Sequence, residues 1–328
     1  MEIIPGIHQF KLPLTNNPAG YVNTYLLKDN DGWLLIDSGW NDPELLDNLH
    51  KQLNGIGLTF NDIERVIYTH IHPDHYGLAG RLKQQYGIKL AVHQYGEDSI
   101  NYRYFGRELF IQELGEWHIQ NGGTREHFDA VVDLSSDYIN HVEPVLPDHL
   151  FSNGDVISTG IFNLTVIWTP GHDRDHVCFY EPVNLILFSG DHILPDTITH
   201  IGMHTDGDHN QLTDYVNSLK SISQLDVDMV LPGHENSFNG LSERIDQLLA
   251  YHERILGQIN DTVTSQPMTA YSIASNIDWS ENPFRWDDLP PLVQSGLVTK
   301  TLAYLKTLVM ESKVQRVDKN GITVYNSI

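Results

Sequence analysis

Six consecutive residues, His70-Ile71-His72-Pro73-Asp74-His75, constrain this chain more than any other feature. Three imidazoles and a carboxylate follow directly on an apolar run, Val66-Ile67-Tyr68. Imidazole and carboxylate together suit zinc and its first-row neighbours. With Ile71 turned away, His70 and His72 can converge on one ion from an extended turn, and Asp74 and His75 lie one step further on, placed for a second. A polar loop of unrelated histidines is the plain alternative, and three later segments weigh against it. Thr169-Pro170-Gly171-His172 follows Val166-Ile167-Trp168, Ser189-Gly190-Asp191-His192 follows Ile186-Leu187-Phe188, and Leu231-Pro232-Gly233-His234 follows Met229-Val230. Each time a buried strand delivers the chain to a sheet edge, a glycine permits a sharp turn, and a ligand projects from the loop.

Between these motifs strand, loop and helix patterns alternate, which makes the chain α/β. Strands are expected at Tyr21 to Leu27, Trp33 to Ile36, Val66 to Tyr68 and Leu90 to Val92. Others fall at Leu164 to Trp168, Val177 to Tyr180, Leu185 to Phe188 and Met229 to Leu231. Helices are expected over Pro43 to Leu53, Gly77 to Tyr86, Gln211 to Ile222 and Leu241 to Gln258. From about residue 95 to 145, Tyr102, Tyr104, Phe105, Phe110, Trp117 and Phe128 alternate with charged residues at helical spacing. This reads as an inserted helical segment, either covering core or capping the site, with Trp117 and His118 as candidate pocket residues. The tail reads helix, helix, hairpin: Ala270 to Asn276, Leu292 to Met310, then Val314 to Val317 and Ile322 to Tyr325 about Asp318-Lys319-Asn320-Gly321. That is the order of a winged-helix module. The division expected is 1–260 catalytic and 261–328 winged-helix-like.

A formal charge of -23 repels nucleic acid and anionic membranes at long range. In the tail Asp261, Asp278, Glu281, Asp287, Asp288, Glu311 and Asp318 roughly cancel Arg285, Lys300, Lys306, Lys313, Arg316 and Lys319, whereas a DNA-reading module is normally basic. No apolar run approaches the roughly 18 residues of a membrane span, and the N-terminus has no signal-peptide pattern. The lone cysteine, Cys178, rules out an internal disulfide, fits a reducing cytosol and reads as a buried small hydrophobe. A cytoplasmic location is therefore expected. Of 18 histidines, His8, His50, His93, His127, His141 and His252 lack ligand-like neighbours and read as surface or packing residues.

Together Leu35-Ile36-Asp37-Ser38-Gly39, Thr69-His70-Ile71-His72-Pro73-Asp74-His75, Thr169-Pro170-Gly171-His172, Ser189-Gly190-Asp191 and Leu231-Pro232-Gly233-His234 resemble the metallo-β-lactamase superfamily, in the family's order and over about residues 3 to 245. The insertion and tail resemble its β-lactamase-like protein 2 group, which includes single-strand endoribonucleases and many bacterial hydrolases. The resemblance implies an αββα sandwich with metals at one edge of the two sheets. It implies that His70, His72 and His172 bind one ion, that Asp74, His75 and His234 bind another, that Asp191 bridges both, and that Asp37 supports the metal loop through hydrogen bonds. The chain departs from relatives after His172, where Asp173-Arg174-Asp175-His176 brings charges that either shape the pocket rim or pair with each other. His176 matches a histidine that usually supports the fold.

Five neutral imidazoles and two carboxylates would leave two divalent ions with a net charge of about +2, enough to hold a hydroxide near neutral pH. The expectation is a dinuclear hydrolase, with zinc first and manganese or iron as alternatives. A metal-bound hydroxide oriented by Asp74 attacks an ester-like bond in a small ester, lactone or thioester. His192, next to Asp191, is a candidate proton donor to the leaving group, although strand alternation could equally turn it away. The polar stretch His200 to His209 reads as a loop near the site, with a third metal site there as a lesser option. The expected partner is a small molecule rather than nucleic acid or membrane, and a homodimer is compatible with the sequence. Three rivals stand: a single-strand endoribonuclease or phosphodiesterase, a mononuclear iron thiol dioxygenase, and a non-enzymatic winged-helix regulator.

Overall fold

The computed structural model describes residues 1–15, 17–203, 209–279 and 285–328. Glu281 of the tail, and His204, Asp206 and Asp208 of the polar stretch, lie outside the described residues.

Among the described residues, the first sheet is built in the order β1 (Glu2–Ile4), β2 (Ile7–Pro13), β3 (Tyr21–Lys28), β4 (Trp33–Ile36), β5 (Ile63–Ile67), β6 (Lys89–His93) and β7 (His149–Phe151). Helices α1 (Pro43–Gly55), α2 (Pro73–Tyr76) and α3 (Ala79–Tyr86) connect its parallel strands. Asp42 starts α1 by accepting from the Glu44 and Leu45 amides, with Pro43 at the first helical position. Leu45, Leu49 and Leu53 then form its buried stripe. The insertion separates β6 from β7 and holds α4 (Gly96–Ile100), a π-helical turn over Asn101–Phe105, α5 (Arg107–Gln120) and α6 (Arg125–Asn140).

The second sheet contains β8 (Val156–Ser158), β9 (Asn163–Trp168), β10 (Val177–Glu181), β11 (Ile186–Gly190) and, after α7 (Gln211–Ile222), β12 (Met229–Pro232). The two sheets pack face to face. Tyr25, Leu34, Ile36 and Ile67 of one share a core with Val166, Phe179, Phe188 and Leu231 of the other. Period-two alternation sends the intervening residues outward. Leu26, Leu35 and Val66 meet α1 and α3 on one side. Cys178, Leu187 and Val230 meet α7 and α8 (Leu241–Thr262) on the other. Helix, sheet, sheet, helix is the expected αββα sandwich. Cys178 is buried, and burial pushes its thiol up to about 12.

The tail continues with α9 (Ala270–Ala274), α10 (Pro291–Met310), β13 (Val314–Lys319) and β14 (Ile322–Ser327), in the order read from sequence. Val298, Leu302 and Leu305 of α10 share one apolar cluster with Tyr251, Ile255 and Ile259 of α8 and with Ile273 and Tyr325. Helix α8 runs to Thr262, so residue 260 lies inside its last turn. Trp117 of α5 packs on the same cluster, and His118 Nδ1 lies 3.0 Å from the Tyr271 hydroxyl. These two insertion residues, read as pocket candidates, therefore face the tail. Among the described residues, no helix is long and apolar enough to cross a membrane.

Candidate metal centre

The ends of β4, β5, β9, β11 and β12 meet at one edge of the sandwich, and each contributes a loop. Three groups of side chains bring their ligand atoms within 4.8 Å of one another: His70, His72 and His172; Asp74, His75 and His234; and His70, His75 and Asp191. Asp191 lies between the first two groups. Its Oδ1 is 3.3 Å from His75 Nε2, and its Oδ2 is 3.5 Å from His234 Nε2 and 3.8 Å from His172 Nε2.

The second nitrogen of each imidazole is engaged, which fixes ring orientation. Asp37 accepts from the Thr69 amide at 2.8 Å, from the Thr69 hydroxyl at 2.8 Å and from His75 Nδ1 at 2.8 Å. Thr69 Oγ1, having given its proton to Asp37, accepts from His70 Nδ1 at 3.0 Å. His172 Nδ1 donates to the His200 carbonyl at 2.9 Å, and His234 Nδ1 donates to the Tyr21 carbonyl at 2.8 Å. His72 turns Nδ1 toward His172, 3.1 Å away, while its Nε2 lies 3.0 Å from Asp173. A Cβ on Gly233 would stand 2.4 Å from Asp191 Oδ1, so only glycine lets this loop pass so close.

The donor set fits divalent metal. His70 Nε2, His75 Nε2 and Asp191 Oδ1 are buried, mutually facing and without a hydrogen-bond partner, an arrangement that costs free energy unless an ion completes it. Electrostatics differ across the site. Burial and the neighbouring His75 and His72 hold His70 well below the usual imidazole range, and burial with His72 lowers His172 to about 4. At His75, burial opposes the charge, but Asp191 and Asp37 prevail and push it up to about 10.

A family model described as the metallo-beta-lactamase superfamily matches residues 17–234. This chain belongs to that superfamily. Among its relatives, a probable metallo-hydrolase, YqjP, of Bacillus subtilis is 25% identical over 268 residues, covering 79% of this chain and 81% of that one. The acyl-coenzyme A thioesterase MBLAC2 of Gallus gallus is 34% identical over 228 residues, covering 62% and 78%. A beta-lactamase-like protein 2 homolog of Caenorhabditis elegans is 24% identical over 73% of this chain and 65% of that one. The crystal structure of the metallo-beta-lactamase family protein TTHA1429 from Thermus thermophilus superposes with a TM-score of 0.83 at 24% identity, covering 99% of this chain and 100% of that one. This metallo-β-lactamase-fold protein is an enzyme of the metallo-hydrolase class, with histidine and aspartate groups that can hold divalent metal.

Other sequence candidates sit behind the cluster. His176 Nε2 accepts from the Asp191 amide at 3.1 Å, and its Nδ1 lies 2.8 Å from Thr169 Oγ1. Both nitrogens are used, so it supports the Asp191 loop and offers no lone pair to an ion. His192 is 0% exposed, its ring enclosed between His176 and Tyr215. The ring is thus turned away from the cluster, one of the two orientations the sequence left open. Asp173 was expected at the pocket rim or paired with a nearby charge of its own motif. Instead it is 1% exposed and bound through both oxygens to both Nη atoms of Arg103, in the insertion, while Arg174 stacks over the Tyr95 ring.

Sequence reading missed two residues of the insertion. Arg103 steers His72 through Asp173. Tyr138 of α6 presents its hydroxyl to Asp74, and burial and then the Asp74 charge hold its pKa well above the usual phenol range. No spacing signal marks either, although the unusual Asp173 was a visible hint that a cation must stand opposite.

Proposed function

We propose that this protein is a dinuclear metal-dependent thioesterase, with small esters and lactones as related substrates. The observation that carries this reading is the meeting of His70, His72 and His172 with Asp74, His75 and His234 around a shared Asp191. The acyl-coenzyme A thioesterase among the relatives favours thioesters within the ester class. Zinc is the first choice of ion for five imidazoles and two carboxylates. Two bound divalent ions would polarise the acyl carbonyl and lower the pKa of the attacking water.

The chain's own residues do the rest. Asp74, buried at the edge of the cluster, is held down to about 2 because the His234 bond and the His75 and His234 charges together outweigh burial, and it is a permanent acceptor that can orient a water proton. Asp37, Thr69, Asp173 and the Tyr21 and His200 carbonyls hold the five imidazoles in register. Water adds across the acyl C–S bond, giving a carboxylate, a thiol and one proton. A thiol with a pKa of about 8.5 leaves readily as the thiolate, so the enclosed His192 needs no proton-donor role. We assign residues 261–328, which share their core with α8, a packing role as a winged-helix-like module.

Elemental analysis of protein purified without chelator, alongside His72→Ala, tests the centre; about two zinc or manganese per chain, falling sharply in the variant, is the expected outcome. A panel of acyl-coenzyme A, p-nitrophenyl ester, lactone and single-stranded RNA then tests the chemistry. Cleavage of RNA alone, or one iron per chain with thiol oxidation, would overturn the thioesterase reading.

A further inference from the structure

A cavity of about 190 Å³ opens beside His72, between α6 and the Asn101–Phe105 turn. Its walls are largely apolar: Tyr104, Phe110, Leu134 and Ile139, with the small Ser135 among them and Tyr138 at the end nearest Asp74. Arg103 is the cation on the wall, and both its Nη atoms are held by Asp173. The Tyr104 hydroxyl is likewise engaged, donating to the Ile71 carbonyl. Arg103 and Tyr104 thus turn their polar groups to the protein, and apart from the small Ser135 the wall between them and Ile139 is suited to hydrocarbon. The metal-side residue His72 is its most exposed ligand, with 25% of its side chain accessible, so the cavity continues directly from the reacting end of the site.

We propose that this cavity is the acyl-chain subsite, and that it selects straight medium-length acyl groups of about six carbons, on the basis that each carbon occupies roughly the 30 Å³ share of a liquid water. The inference rests on the thioesterase reading. It adds that the insertion, and not the αββα scaffold, sets chain length. The acyl carbonyl lies against the His72 and Asp74 edge, and the hydrocarbon runs between Phe110 and Ile139. Ser135 is the gate residue, because a larger side chain there fills the cavity from α6.

The first test is kcat/KM across acyl-coenzyme A thioesters of increasing even chain length. Each methylene buried raises it about fourfold, the equivalent of ~0.8 kcal/mol, until about six carbons, where the rise stops. Ser135→Phe lowers the hexanoyl-to-acetyl ratio of kcat/KM by tenfold or more. Phe110→Ala moves the end of the rise to longer chains, which keeps the inference testable should the first variant misfold. The second test uses non-hydrolysable hexyl and methyl thioethers of coenzyme A, with affinity read by calorimetry on the metal-loaded protein. Tighter hexyl binding that Ser135→Phe abolishes supports the subsite even if no thioester is hydrolysed, in which case only the thioesterase reading falls. A flat chain-length profile with hydrolysis intact, or hexyl and methyl thioethers of equal affinity, overturns the subsite and leaves the thioesterase reading standing.

Discussion

Buried imidazoles occur in two parts of this molecule, and they behave differently. At the sheet edge His70, His75, His172 and His234 point their Nε2 atoms at one another and at two carboxylates. Deeper in the scaffold, His93 stacks on Trp168 at an interplanar angle of 12°, His118 meets the Tyr271 hydroxyl, and His252 Nδ1 meets the Tyr304 hydroxyl at 2.6 Å. His93 and His252 also carry ring nitrogens without a partner. Among the described residues, however, none of these three joins a group of three ligand-type side chains. Burial and an unsatisfied nitrogen are therefore shared by both populations. Convergence on a common point, enforced by hydrogen bonds on the far side of each ring, is what separates a metal centre from packing.

The contrast can be broken most severely at its centre. Asp191→Ala removes the carboxylate common to both ligand sets, and hydrolysis should fall on the order of 10³-fold or more, since several kcal/mol of charge stabilisation go with the metal. Elemental analysis of the same sample should show less metal per chain, and an unchanged metal content would break the assignment of Asp191.

The next largest effect is expected one layer out. Arg103→Met strips the buried Asp173 carboxylate of its guanidinium partner, and loss of one partner of a buried pair typically costs 3–5 kcal/mol, about the upper bound here because the His72 and Arg174 contacts remain. Because Asp173 also orients His72, metal affinity should weaken by about 10–100-fold. Thermal unfolding and chelator competition measure the two effects separately. A loss of stability with unaltered metal affinity would show that the insertion braces the scaffold without steering the ligand.

A packing histidine should give the opposite pattern. His252→Ala leaves the Tyr304 hydroxyl without this partner and should cost about 1–3 kcal/mol in stability, while metal per chain and kcat/KM stay as in the wild type. Loss of metal from this variant would blur the two populations into one.

The smallest and broadest effect is with pH. Burial lowers His93 and His118 to about 4 and His252 to about 3, whereas an unfolded chain protonates each near 6.5. The unfolded state thus binds more protons below 6.5. The contribution of these residues is fully present above that pH and drains away as pH falls toward 4 and then 3. Melting temperatures across pH 7 to 4 should decline, and His252→Ala should flatten part of that decline.

Most of the candidate centre was legible because each ligand-type residue sits within a short contiguous motif at the end of an apolar strand. The sandwich was legible through the resemblance those motifs carry, since a uniformly apolar run such as Leu34-Leu35-Ile36 marks a buried strand without assigning its faces. The residues that act from outside those motifs were not. Arg103 and Asp173 are 70 positions apart, and Tyr138 reaches Asp74 only because α6 folds back over the β5 loop. Such contacts depend on how whole helices pack, which sequence spacing does not encode. The direction of the His192 ring was undecided for a related reason: β11 ends at Gly190, where strand alternation stops governing the chain. His118 was misplaced because an aromatic helix reads alike whether it covers a cleft or a neighbouring module.

The carbonyl of Tyr21 holds His234 across 213 positions of chain, and the Asn23 side chain adds bonds to the Pro232 and Glu235 carbonyls. The centre is therefore closed by β3 and the loop after β12 at once. During synthesis, at about 5–20 residues per second, no nascent chain can complete this grip until His234 has emerged, tens of seconds after Tyr21. Ligand sets of such high sequence separation form late in folding. The set of Asp74, His75 and His234 can therefore close only once the second sheet is complete, whereas His70, His72, His172 and Asp191 have all been synthesised before it.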